Sequence, residues 1–224
     1  MPRVVELPAR GETRAVVVVL HGGMEKSHVP TSRCQTSSLR MIPFARALHR
    51  AGRQHGVAVW RVRYRVRGWN GEDRAPVADA RAALDEVTSR YGEAPVFLVG
   101  HSMGGRTAVH VLEHPRVVGM VGLAPWLPND PVDGIAGKDV LIAHGTRDTT
   151  TSPKQTQEWS ERARRAGATV TYANVVRSGH TLLRRSGLWT DLTTGFALRA
   201  LGIETRVGPT ARRVLDQPDG TVTV

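Results

Sequence analysis

Gly100-His101-Ser102-Met103-Gly104 matches the pattern G-x-S-x-G. A serine hydroxyl is a poor nucleophile at neutral pH, so chemistry at Ser102 needs a base within hydrogen-bond reach and a third group to orient that base. The flanking glycines have a steric reason. A serine on a sharp strand-to-helix turn projects its hydroxyl above the sheet, and the surrounding backbone comes so close that only glycine fits beside it. Gly105 extends the small surface. In sites of this kind the acid and the histidine follow the serine in that order, each on a loop beyond the carboxyl end of a strand. Asp148, in "VLIAHGTRD", and His180, in "VTYANVVRSGH", fall where that order requires them. Asp130, Asp133 and Asp139 also follow Ser102 but precede the strand at Val140, where an acid is poorly placed.

Three other groups of residues carry chemical potential. His110-Val111-Leu112-Glu113-His114 matches H-x-x-E-H, a spacing that can put two histidines on one zinc ion. No third ligand accompanies the pair, which falls in the last turns of a helix before Pro115, so no metal is assigned. Arg61, Arg63, Arg65 and Arg67 alternate with Val62, Tyr64 and Val66, and share one face if the chain is extended. That face either pairs with an anionic ligand or packs against carboxylates such as Glu72 and Asp73, and the second reading is preferred. Trp69 in "RGWNG" and Trp126 in "LAPWLP" follow strands on the side where ligands bind in parallel sheets. Each lines a substrate pocket or packs in the core.

The elements that must position these residues alternate. Arg3–Leu7 and Ala15–Leu20 read as strands joined by a turn, followed by a helix over Ser38–Gln54 and a strand over Val57–Tyr64. A helical stripe over Asp73–Tyr91 stops at Gly92, and a strand at Pro95–Val99 runs into the serine turn. A helix is expected from Met103 to about Glu113, then strands at Val117–Leu123 and Val140–His144. Ser152-Pro153-Lys154-Gln155 carries a serine N-cap, proline at N1 and glutamine at N3. A last core strand at Thr169–Val176 and a helix at about Leu182–Leu201 follow. This alternation implies a mostly parallel sheet of about seven strands with helices on both faces. Residues 1–202 are expected to form one domain, and residues 203–224, without a sustained apolar stripe, a loosely attached or partly disordered tail.

At 224 residues and 40% hydrophobic content the chain suits one sizeable core. It has no apolar run long enough to span a bilayer and no signal-peptide pattern, and its single cysteine, Cys34, excludes an internal disulfide. These features point to a cytoplasmic protein. The formal net charge of +11 raises binding of nucleic acid or another anionic ligand as a function, but the sequence lacks a long basic block, which argues against nucleic acid.

"VLHGG" at 19–23, "GHSMGG" at 100–105, "HGTRD" at 144–148 and "SGH" at 178–180 together resemble the α/β-hydrolase superfamily, and its small serine esterases and lipases in particular. The resemblance implies an α/β-hydrolase fold with Ser102 as nucleophile, His180 as general base and acid, and Asp148 as the orienting carboxylate. It implies an oxyanion hole made by the backbone N–H of Met103 and a second N–H from Gly23 or Met24. His21, His101 and His144 lie in these motifs and are expected to bond the backbone or pack near the site. "PWLPNDPVDGIAGK", between Ala124 and the Val140 strand, is too short to hold a lid. The implied activity is cofactor-independent cleavage of a small-molecule carboxylic ester or thioester. A hydrolase fold recruited as a binding or scaffold protein is the other class of function.

Overall fold

The computed structural model describes residues 2–224. Valine-rich runs make its first strands, β1 (Arg3–Leu7) and β2 (Ala15–Leu20), and helices α1 (Thr36–Arg40) and α2 (Ile42–Gly52) lead to β3 (Val57–Arg63). Helix α3 (Ala75–Tyr91) precedes β4 (Val96–His101), α4 (Met103–Val109), β5 (Val117–Leu123) and β6 (Asp139–Gly145). Helix α5 (Pro153–Arg165), β7 (Thr169–Val175), α6 (Ser186–Ala200), α7 (Pro209–Leu215) and β8 (Thr221–Thr223) complete the order. The strands form one eight-stranded sheet, β1-β3-β2-β4-β5-β6-β7-β8, in which only the β1–β3 pair is antiparallel.

Both faces of the sheet are covered, so the central strands are apolar throughout. In β2, Val16, Val18 and Leu20 join one core with α3, α4 and α5, while Val17 and Val19 join another with α2, α6 and α7. This is the two-residue alternation of a strand with helices on either side. The carboxyl ends of β2, β4, β6 and β7 lie at one edge of this sandwich, and every candidate triad residue emerges there. Among the described residues no helix is long and apolar enough to cross a membrane.

Three expectations about elements change. The helix expected over Ser38–Gln54 is two helices broken at Met41, because Pro43 lacks the N–H that would extend the first. Helix α4 ends at Val109, and the next residues tighten into turns in which Val111, Leu112 and His114 bond three residues back. The segment after Gly202 is packed, not loose. Its helix α7 buries Ala211, Val214 and Leu215 against α6, where Gly195 leaves room for Leu215 and Val207. Strand β8 adds an eighth strand beside β7, with Tyr172 N–H donating to the Gly220 carbonyl (2.7 Å) and Val224 N–H to the Asn174 carbonyl (2.9 Å). The apolar residues of this segment are few and widely spaced. Their burial depends on partners far away in sequence, which a local stripe does not reveal.

Candidate active site

Ser102 stands between β4 and α4 with φ 55° and ψ −121°. A non-glycine residue there costs on the order of 1–3 kcal/mol and persists only where its surroundings over-determine it. Here they do. Ser102 N–H donates to the Leu123 carbonyl (3.0 Å), and the Ser102 carbonyl accepts from Gly105 (3.0 Å), Arg106 (3.2 Å) and Trp126 (3.1 Å) N–H groups. A Cβ on Gly100 would strike the Gly104 carbonyl, and one on Gly104 would strike the Leu20 and His21 carbonyls.

Asp148 follows β6 and His180 follows β7, and His180 Nδ1–H donates to Asp148 Oδ2 at 2.9 Å. Asp148 Oδ1 accepts from the N–H of Thr150 (2.8 Å) and Thr151 (3.0 Å). Oδ2 also accepts from Thr151 Oγ1 (3.0 Å) and lies 3.2 Å from His144 Nε2. Burial pushes the Asp148 carboxyl up, but bonds from His144, His180, Thr151 and Thr150 outweigh it and hold the pKa well below the usual carboxylate range. An ionised carboxylate only accepts, so both histidines must present N–H to it. His144 is fully buried, and its Nδ1 in turn meets Thr156 Oγ1 at 2.9 Å.

His101 ties the serine turn to the histidine loop. Its Nε2 lies 2.9 Å from the His180 carbonyl and its ring centroid 4.8 Å from that of His180. Burial, and then the proximity of His180, lower the His101 pKa to about 3, so it is neutral and donates from Nε2. His21 Nδ1 bonds the Gly22 carbonyl at 2.6 Å. Ser102 Oγ makes no hydrogen bond to His180 among the described residues, a contact that in hydrolytic sites commonly tightens only around substrate.

Ser102, Gly23, Met24, Glu25, Met103, Trp126, Thr150 and Thr151 line a cleft of about 220 Å³. Met24 N–H is taken by the Arg67 carbonyl at 2.9 Å, while the N–H groups of Gly23 and Met103 have no partner among the described residues. Of the two candidates for the second donor, Gly23 is therefore the free one. A side chain at Gly23 would collide with the Arg67 carbonyl and the Met103 thioether. Trp126 is half-buried at the cleft, whereas Trp69 is buried behind it, its ring 6.3 Å from that of Trp126.

The remaining motifs resolve differently. His110 Nε2 bonds Asp130 Oδ1 at 2.7 Å, while Glu113 pairs with Arg81 and His114 Nδ1 accepts from Arg116 N–H, so the H-x-x-E-H residues face separate partners. Of the four arginines, Arg65 pairs at 2.6 Å with Asp79, which is buried, and Arg67 Nε donates to the Pro30 carbonyl. Asp79, not Glu72 or Asp73, is the carboxylate that meets the stripe. His144, placed by the HGTRD motif and expected to bond the backbone or pack near the site, meets the Asp148 and Thr156 side chains, and Thr151 carried one sequence signal, its closeness to Asp148 in the chain. Arg106, one helical turn after Ser102, carried none.

A mostly parallel sheet with helices on both faces, a strained serine at the strand–helix turn and no cap domain among the described residues define a lidless α/β hydrolase. The chain belongs to the family described as serine aminopeptidase, S33 (Hydrolase_4), whose model matches residues 11–138. Similar solved structures include a Bacillus cereus carboxylesterase, at 22% identity and TM-score 0.62, with 85% of this chain and 94% of that chain covered. Est1E from Butyrivibrio proteoclasticus, solved with ferulic acid bound, is 14% identical with TM-score 0.66, covering 90% and 96%. A Xanthomonas campestris α/β serine hydrolase without a lid is 16% identical with TM-score 0.56, covering 81% of each chain. No curated protein matches the sequence.

Proposed function

We propose that the protein hydrolyses carboxylic esters or thioesters through an acyl-enzyme on Ser102. His180 Nε2 takes the Ser102 proton as Oγ bonds to the carbonyl carbon. The resulting oxyanion is held by the free N–H groups of Gly23 and Met103, an interaction worth on the order of 100-fold to 1,000-fold in turnover per donor. Collapse of the intermediate breaks the bond to the leaving group, which departs with the proton from His180. Water then attacks the acyl-enzyme by the same path, with His180 again as base. Asp148 stays ionised and keeps the His180 proton on Nδ1, leaving Nε2 free to act.

The observation that carries this reading is the 2.9 Å His180–Asp148 pair beside a serine held at φ 55°. Neither feature stabilises the fold in a way that a glycine and an apolar pair would not. The test is labelling with a fluorophosphonate probe, beside turnover of p-nitrophenyl esters from acetate to decanoate. Wild type is expected to label and to hydrolyse part of the series, and Ser102→Ala to do neither. A wild type that neither labels nor turns over any ester removes the hydrolase reading and favours a scaffold.

A further inference from the structure

Beside the Ser102 cleft lies a larger cavity of about 770 Å³, and the two share Glu25 and Trp126. Its floor is unusual in charge. The Arg106 guanidinium sits in the corner formed by two indoles whose planes are 78° apart, 4.1 Å from the Trp69 ring centroid and 4.4 Å from that of Trp126. Its Nε donates to Asp130 Oδ1 at 2.6 Å, and its two terminal nitrogens have no hydrogen-bond partner among the described residues. Arg162 reaches the same place from α5 and donates to the Asp130 carbonyl at 2.9 Å.

Two guanidiniums thus meet at Asp130, Arg106 on its carboxylate and Arg162 on its main-chain carbonyl. Asp130 is 2% exposed and Arg106 and Arg162 are half-buried, so the floor carries an excess positive charge where solvent screens poorly. Glu25, Lys26, Glu72, Arg74 and Asp133 also line the cavity, but all are exposed, carry both signs and are screened by water. The indole corner and the Asp130 bond to Nε hold the guanidinium in place, and its uncommitted edge is a ready fork for a planar oxyanion.

We infer that this cavity is a specificity subsite for a carboxylate, or a phosphate-like oxyanion, carried by the substrate a few atoms from the scissile carbonyl. The inference rests on the proposed hydrolase reading and names its substrate class. Arg106 N–H bonds the Ser102 carbonyl, one helical turn back. The rise along α4 between the two residues is about 6 Å. With the two cavities joined at Glu25 and Trp126, one short ligand spans Ser102 and the guanidinium: an acyl group or leaving group with a charged end, not a long aliphatic tail.

The test compares matched esters. Monoethyl succinate, glutarate and adipate are set against ethyl butyrate, 3-carboxy-4-nitrophenyl butyrate against 4-nitrophenyl butyrate, and ethyl 3-phosphonopropanoate against ethyl butyrate. In at least one pair the charged ester is expected to be preferred tenfold or more in kcat/KM. The pair that responds tells acyl side from leaving group and carboxylate from phosphonate. Arg106→Met should collapse that ratio at least tenfold. Arg106→Lys keeps a cation for Asp130 if the methionine variant does not fold, and it should also lower the ratio because it lacks the fork. Ratios near one in every pair, or no turnover of charged esters, with Ser102 labelled by fluorophosphonate, overturn the subsite and leave the hydrolase standing. An unlabelled Ser102 with every ester inert overturns both.

Discussion

Asp148→Asn is the most informative single change at this site, because the structure dictates which way the new amide must face. Thr150 and Thr151 N–H both donate to Oδ1, so the amide oxygen has to stay there and the NH₂ has to take the place of Oδ2. At Oδ2 it meets His180 Nδ1, formerly 2.9 Å away as a donor. Two donors cannot face each other, so His180 moves its proton to Nε2 and loses its capacity as a base toward Ser102. A wrong tautomer of this kind costs about 10⁴-fold in turnover, or roughly 5 kcal/mol. The amide can escape by flipping, but that leaves two N–H groups facing an NH₂, at about 1–3 kcal/mol each. Even the escape therefore keeps at least a 30-fold loss, taking about 2 kcal/mol as its minimum cost. The assay is kcat on p-nitrophenyl butyrate between pH 6 and 9, normalised to the fraction of enzyme that a fluorophosphonate can titrate. A variant whose kcat is within tenfold of wild type, with an unchanged pH profile, would refute the assignment of Asp148 as the orienting acid.

Other expectations are separable from that one. Gly104→Ala drives a methyl group into the Leu20 and His21 carbonyls and should cost roughly 1–3 kcal/mol, lowering Tm by about 2–12 °C. Gly187→Ala, in α6 with open space around its Cα, should instead leave Tm unchanged or raise stability by up to about 1 kcal/mol. Thermal melts that rank the two alike would show that close backbone approach is not what demands Gly104. His21 and His101 have pKa values lowered to about 4 and about 3, chiefly by burial. The unfolded chain therefore binds protons on these residues that the folded protein does not, and stability is lost as pH falls below about 6.5. At pH 5 the cost is about 2 kcal/mol for each histidine, read as a drop in the urea midpoint between pH 7.5 and 5.

Much of this site was legible in the chain because its chemistry obeys strong local rules. Gly100 and Gly104 announce close backbone approach, and the order of strands put the candidates Asp148 and His180 after the strands that the structure forms as β6 and β7. Ser152 was readable as an N-cap, and its Oγ does accept the Gln155 N–H at 3.2 Å. Other features were not legible, each for a physical reason. The break at Met41 turned on one missing N–H at Pro43 inside an otherwise continuous apolar stripe. The anchoring of residues 203–224 depends on partners in α6 and β7, so the segment alone resembles solvated chain.

What the sequence determined by itself was the alternation of strands and helices and the choice of candidate reactive side chains, because periodicity, turn residues and glycine sterics act over a few neighbours. What only the tertiary structure decided was which groups share an atom. Asp148 Oδ2 meets two histidines, Met24 N–H is spent on the Arg67 carbonyl while Gly23 N–H has no partner among the described residues, and Arg106 sits in the corner of Trp69 and Trp126. These meetings join residues from separate loops to within about 3–4 Å, set by how the sheet twists and the helices pack on it. No local pattern encodes a distance between loops that the chain reaches many residues apart.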